Sequence, residues 1–111
     1  MYHILIIEDD VEINRLLTEF LEENGYYVVS QYNGLHILDI LQENKIDLVL
    51  LDIMLPYKSG DSVLADIRKQ STVPVIIILR KEPLRIKLIC CGWERMIILL
   101  SLLIWKKHLP G

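Results

Sequence analysis

Two short acidic stretches hold the residues whose types and spacing could do chemistry: Glu8-Asp9-Asp10 near the start, and Asp52 near the middle of the chain. Each directly follows an apolar run, "ILII" in the first case and "LVLL" in the second. If the two runs are neighbouring strands of one sheet, their carboxylates crowd a single crevice. Like charges that close repel and raise one another's pKa, so the arrangement calls for a compensating cation. Oxygen-only ligands suit Mg2+, which keeps several waters and often bridges to phosphate oxygens. A carboxylate beside such an ion is a competent nucleophile toward a phosphoryl group, giving an acyl phosphate. Acids at strand ends serve equally as solvated loop residues or helix caps, and Asp10 reads as a cap.

The elements that must position these acids follow from the apolar pattern. Tyr2 to Ile7 suits a short strand buried on both faces. Asp10 can N-cap a helix carrying Ile13, Leu16, Leu17, Phe20 and Leu21 at helical spacing, with Asn24-Gly25 as its stop. "YYVVS" reads as a second strand, and Asn33-Gly34 turns the chain into a helix with Ile37, Leu38, Ile40 and Leu41 on one stripe. "IDLVLLD" is the most apolar strand and belongs at the sheet's centre. Pro56 and Gly60 mark a loop, and Asp61 can cap a third helix that buries Val63, Leu64 and Ile67. Pro74 opens a fourth strand, Val75 to Leu79. Strand and helix alternate with short links, which predicts an α/β doubly wound parallel sheet with right-handed crossovers. In such sheets ligands bind beyond the carboxyl ends of the strands, where the strand order reverses.

Composition narrows the function classes. A chain of 111 residues holds one small domain. Its formal charge of −3 argues against a nucleic-acid patch. Cys90 and Cys91 are adjacent and cannot form an ordinary structural disulfide with each other, which favours a reduced, cytoplasmic compartment. The start "MYHILIIEDD" meets acid too soon for a signal peptide. The longest apolar run, "MIILLSLLIW", is about half of the roughly 20 residues that a membrane helix needs. His3 and His36 read as surface or packing residues, and Tyr26, Tyr27 and Tyr32 as ordinary strand packing.

"ILIIEDD", then "VEINRLLTEFLEENGY", then "DLVLLDIMLP" with Gly60 four residues after Pro56, resembles the receiver domain of bacterial two-component response regulators. "LDIMLP" is most similar to the class whose receivers precede a winged-helix DNA-binding domain. The resemblance runs from about residue 3 to residue 79 and implies a flavodoxin-like fold with strand order 2-1-3-4. It implies that Asp52 is the phosphoacceptor, charged by a sensor histidine kinase. Glu8 and Asp9 match the acid pair of an Mg2+ site, Asp52 completes it, and the Met54 backbone carbonyl matches a further ligand. The same resemblance admits a receiver–receiver dimer. It implies self-modification rather than an enzyme in the ordinary sense.

The pattern breaks at residue 80. Receivers carry Thr or Ser just after the fourth strand, where this chain has Arg80. They carry a Lys-Pro pair after the fifth strand, and no Lys-Pro occurs here. The genetic code offers an account. Joining the last base of each codon to the first two of the next forces Gly from Trp93-Glu94, Asp from Met96-Ile97 and Glu from Trp105-Lys106. Permitted codons elsewhere let Trp93 to Lys107 spell "GADDYITKPFDMEE", which contains the missing family residues in order. Residues 1–79 thus read as an incomplete receiver-like domain and residues 80–111 as an aberrant, out-of-frame tail. Cys90-Cys91, Lys106-Lys107 and His108 then carry no motif.

Three expectations follow. The fourth strand should be an exposed apolar edge, prone to aggregation, in a protein of marginal stability. Phosphorylation should be weak and poorly transmitted, because the hydroxyl and ammonium that stabilise the charged product are gone. No direct DNA binding is expected. The alternatives are a non-signalling interaction fragment and a non-functional product.

Overall fold

The computed structural model describes residues 1–52, 59–79, 85–89 and 93–107. Their elements are β1 (His3–Ile7), α1 (Val11–Glu23), β2 (Tyr27–Gln31), α2 (Ile37–Glu43), β3 (Leu48–Asp52), α3 (Gly60–Gln70), β4 (Val75–Leu79), β5 (Arg85–Ile89) and α4 (Glu94–Lys107). One sheet has the order β2-β1-β3-β4-β5, and β1 to β4 run parallel as the alternation predicts. β3 is the central strand, and all its residues are buried.

Alternate residues of each inner strand serve opposite faces, because side chains on a strand alternate. Ile4, Ile6, Leu48, Leu50, Ile76 and Ile78 meet α1 and α4 on one face. Leu5, Ile7, Val49, Leu51, Val75 and Ile77 meet α2 and α3 on the other. Asp10 caps α1 as expected, its carboxylate accepting from the N–H groups of Glu12 and Ile13 at 3.0 and 3.1 Å. Asn24 ends that helix, and Gly25 takes a φ of +88°, a region where a residue lacking Cβ is unstrained. The cap of α3 is Ser59 rather than Asp61. The Ser59 hydroxyl accepts from the Ser62 N–H at 3.3 Å, which leaves Asp61 in the first turn.

The edge of β4 is not exposed. β5 pairs with it antiparallel along its whole length, from Val75 opposite Ile89 to Leu79 opposite Arg85. Residues 80–84 are all the chain between the two strands. A parallel return needs a crossover of about a dozen residues or more, so a connection this short permits only a hairpin. Nor is the face beside α1 left bare, since Met96, Leu100 and Leu103 of α4 are buried in its core. The strand and helix after residue 84 thus share one sheet and one core with residues 1–79.

Candidate functional site

Strand register brings the acids together. β1 and β3 are parallel neighbours with Ile7 level with Leu51, so the residue after Ile7 comes level with Asp52. That residue is Glu8, and its N–H still donates to the Gln31 carbonyl at 3.0 Å, which extends the β1–β2 ladder by one step. Glu8 and Asp52 are each only 1% exposed, while Asp9 is half-buried. One carboxylate oxygen from each of Glu8, Asp9 and Asp52 lies within 4.8 Å of the others. The Glu8 Oε1 also accepts from the Asp10 N–H at 3.1 Å. Asp10 itself is engaged as the cap of α1 and stands outside the trio, as its spacing suggested.

At that separation two carboxylates repel by about 3 kcal/mol at an effective dielectric near 20. A divalent cation between them turns the repulsion into attraction. The donor set is three hard oxygens from three side chains, two of them rigidly placed at strand ends, and such a set fits a small hard cation such as Mg2+. Met54, Pro56, Tyr57 and Lys58 lie outside the described residues, as do Arg80, Cys90, Cys91 and His108. The His3 and Tyr27 rings lie 4.9 Å apart, and the His3 backbone N–H donates to the Asp47 carboxylate at 2.8 Å.

Behind the acids stand residues that the sequence did not single out. Asn14, in the second turn of α1, is buried and donates to the backbone carbonyls of Glu8 and Gln31, both at 3.0 Å. Its Oδ1 accepts from the hydroxyls of Ser30 and Thr18. A signal was available, since Asn14 is a polar residue lying on the stripe that buries Ile13, Leu17 and Leu21.

The direction of β5 matters to the site. Its first residue, Arg85, lies beside the carboxyl end of β4, on the same edge as Asp52, while its last, Ile89, lies beside Val75 at the opposite edge. A residue following a parallel fifth strand would emerge on the acidic edge. Here the strand ends at the other side of the sheet.

Comparison with known proteins agrees with this geometry. A family profile described as the response regulator receiver domain matches residues 4–98. The transcriptional regulatory protein CpxR of Escherichia coli K12 is 41% identical over 78 residues, covering 70% of this chain and 33% of that protein. The BeF3-activated N-terminal receiver domain of RstA from Klebsiella pneumoniae superposes with a TM-score of 0.67 at 29% identity, covering 89% of this chain and 77% of that one. TrrA of Thermotoga maritima, solved in complex with Mg(2+)-BeF, gives a TM-score of 0.63 at 39% identity, covering 71% of this chain and 68% of that one. The chain spans 33% to 39% of the length of the curated relatives it matches first. Among the described residues, no helix is long and apolar enough to cross a membrane.

Proposed function

Because the chain belongs to the response regulator receiver family, with the receiver's flavodoxin-like fold, we propose that it is a phosphoacceptor module of a two-component relay in which Asp52 takes the phosphoryl group. The observation that carries this is the placement of Asp52 at the carboxyl end of the central strand, against Glu8 and Asp9. A carboxylate oxygen of Asp52 attacks phosphorus, a P–O bond forms, and the P–N bond to the histidine of the donor kinase breaks. Glu8 and Asp9, with Asp52, would hold Mg2+, and the Met54 carbonyl is assigned there by family pattern. When bound, the ion supplies positive charge against the incoming phosphoryl oxygens. Burial of Glu8 and Asp52 keeps the acids fixed and restricts water at the acyl phosphate.

The partner is a sensor histidine kinase, and the chemistry is self-modification. Signalling is impaired in this reading, since Arg80 replaces the family hydroxyl and no Lys-Pro follows β5. We assign residues from about 80 onward to a neighbouring reading frame. The nucleotide sequence from about codon 70 onward checks this directly: codons unable to spell "GADDYITKPF" in the adjacent frame would end the idea. The phosphoacceptor role is tested by incubation with Mg2+ and a small phosphodonor, read by intact-mass spectrometry. The expected result is one added phosphoryl group in the parent and none in Asp52→Asn. Equal labelling of the two would remove Asp52 from the role.

A further inference from the structure

Asn14 is 1% exposed and uses both ends of its amide. The orientation of that amide is fixed by its partners. Two carbonyl oxygens, of Glu8 and Gln31, face one end at 3.0 Å and can only be met by N–H donors. The Ser30 hydroxyl donates to Oδ1 at the other end, and the Thr18 hydroxyl, whose one proton is shared with the Asn14 backbone carbonyl, lies 3.3 Å from the same oxygen. The Thr18 hydroxyl also lies 2.8 Å from the Asn14 carbonyl, which ties the pair along α1.

The consequence for the acids is specific. The Glu8 N–H is held by the Gln31 carbonyl, and the Glu8 C=O is held by Asn14 Nδ2, which donates to that same Gln31 carbonyl. Glu8 is therefore pinned on both sides of its Cα. The peptide group that joins it to Asp9 cannot rotate without breaking the bond to Asn14. Rotation of that peptide changes the aim of both carboxylates together. Leu has the same branched outline as Asn, with bulkier methyl groups in place of the amide oxygen and nitrogen, but it could not donate to a carbonyl.

We infer that Asn14 is a positioning residue for the cation site: it locks the Glu8–Asp9 peptide so that the acid pair meets Asp52 ready-formed. The inference rests on the Mg2+ reading of the acid trio. It assigns to Asn14 the part that residues behind metal ligands play elsewhere, where their loss typically costs about 10- to 100-fold in metal affinity.

The test is titration of the whole chain with Mg2+ alone, by calorimetry, in the parent, Asn14→Leu and Leu21→Ala. Urea melts of each are run in parallel. Leu21 is buried on the same helix, at its far end from the acids, so its truncation weakens the fold without touching them. Mg2+ binding to Asn14→Leu is expected to weaken about tenfold or more. Binding to Leu21→Ala should stay within about twofold of the parent, as for a distant independent site. If Asn14→Leu does not fold, Asn14→Ser, too short to reach both carbonyls, carries the same expectation. Parent-like affinity in the folded Asn14 variant overturns the inference and leaves the Mg2+ site standing. Equal weakening in Leu21→Ala also overturns it, since the effect is then one of general stability. A parent that shows no saturable Mg2+ binding refutes the cation site and this inference with it.

Discussion

Replacing Leu100 by alanine asks whether the segment after residue 84 is part of the fold or an appendage. Leu100 is fully buried in the core that α4 shares with α1, among Ile4, Ile6, Leu48, Leu50, Ile76 and Ile78. Truncating a buried leucine removes its transfer free energy and leaves a cavity, for a loss of about 2–5 kcal/mol. Domains of this size hold only about 5–15 kcal/mol in total, so the change removes a large fraction of the margin. Ile98 supplies the control, since it lies on the same helix and is 61% exposed. Ile98→Ala should stay within about 0.5 kcal/mol of the parent. In urea, with a slope near 2 kcal/mol per molar, a 3 kcal/mol loss lowers the midpoint by about 1.5 M. Circular dichroism at 222 nm follows both melts. A Leu100→Ala midpoint within error of that of Ile98→Ala would falsify the packing of α4 as described.

Further outcomes are expected at Gly34 and at the acids. Gly34→Ala places a Cβ against the Val63 side chain, with Val63 Cγ2 in hard contact and Cβ and Cγ1 at 3.5 and 3.6 Å, so overpacking of about 1–3 kcal/mol should outweigh the ~0.4–1 kcal/mol that alanine takes from the unfolded chain. Adding Val63→Ala should relieve the clash, and strictly additive losses in the double variant would show that it was never there. Mg2+ at ten times its dissociation constant should stabilise the parent by about 1.4 kcal/mol, and chelation should remove the gain. Asp9→Asn should show little of that response, and an undiminished rise in its melting temperature would take Asp9 out of the site.

The places of the acids at strand ends were legible because they depend on short-range rules. Apolar runs ending in acid marked the strand ends and the alternation of elements made the sheet parallel, whereas the adjacency of β1 and β3 that aligns Glu8 with Asp52 followed only from the family resemblance and its strand order 2-1-3-4. Asp10 was legible as a cap for the same local reason. What escaped depends on choices that spacing leaves open. Ser59 and Asp61 are both good caps two residues apart, and only the backbone decides which hydrogen-bonds into α3. The role of Asn14 needs two strand ends and a helix at once, so it shows in sequence only as a polar break in an apolar stripe. The covering of β4 by β5 does not show in the family motifs that the tail lacks. Five residues between two apolar runs already implied a hairpin, whatever the reading frame.

If the tail is out of frame, as proposed, the genetic code gives a reason why it can still supply a buried helix. In the proposed shift, the third base of each receiver codon becomes the middle base of a codon read here. Codons with uracil in the middle encode only Phe, Leu, Ile, Met and Val. A gene that favours uracil at third positions therefore yields an apolar run when read in this frame, and Met96 to Ile104 is Met, Ile and Leu throughout except for Ser101. Such a run is apolar all round, so a helix built from it can seat one stripe on any open apolar face; Met96, Leu100 and Leu103 take the face beside α1 and leave Ile98 outside. Packing of this kind asks only for apolar side chains of suitable size. By the family pattern, a phosphoryl switch asks for a particular hydroxyl and a particular ammonium at the carboxyl edge of the sheet, which a tail translated out of frame would not be expected to supply. β5 compounds the loss by direction, since its last residue, Ile89, lies at the edge opposite Asp52. If residue 80 is the seam proposed above, stability and phosphoacceptance can survive it, because both would rest on residues whose chemistry is local or unspecific. Under the same proposal, transmission of the signal does not survive, because it would rest on two side chains that the shifted frame no longer encodes.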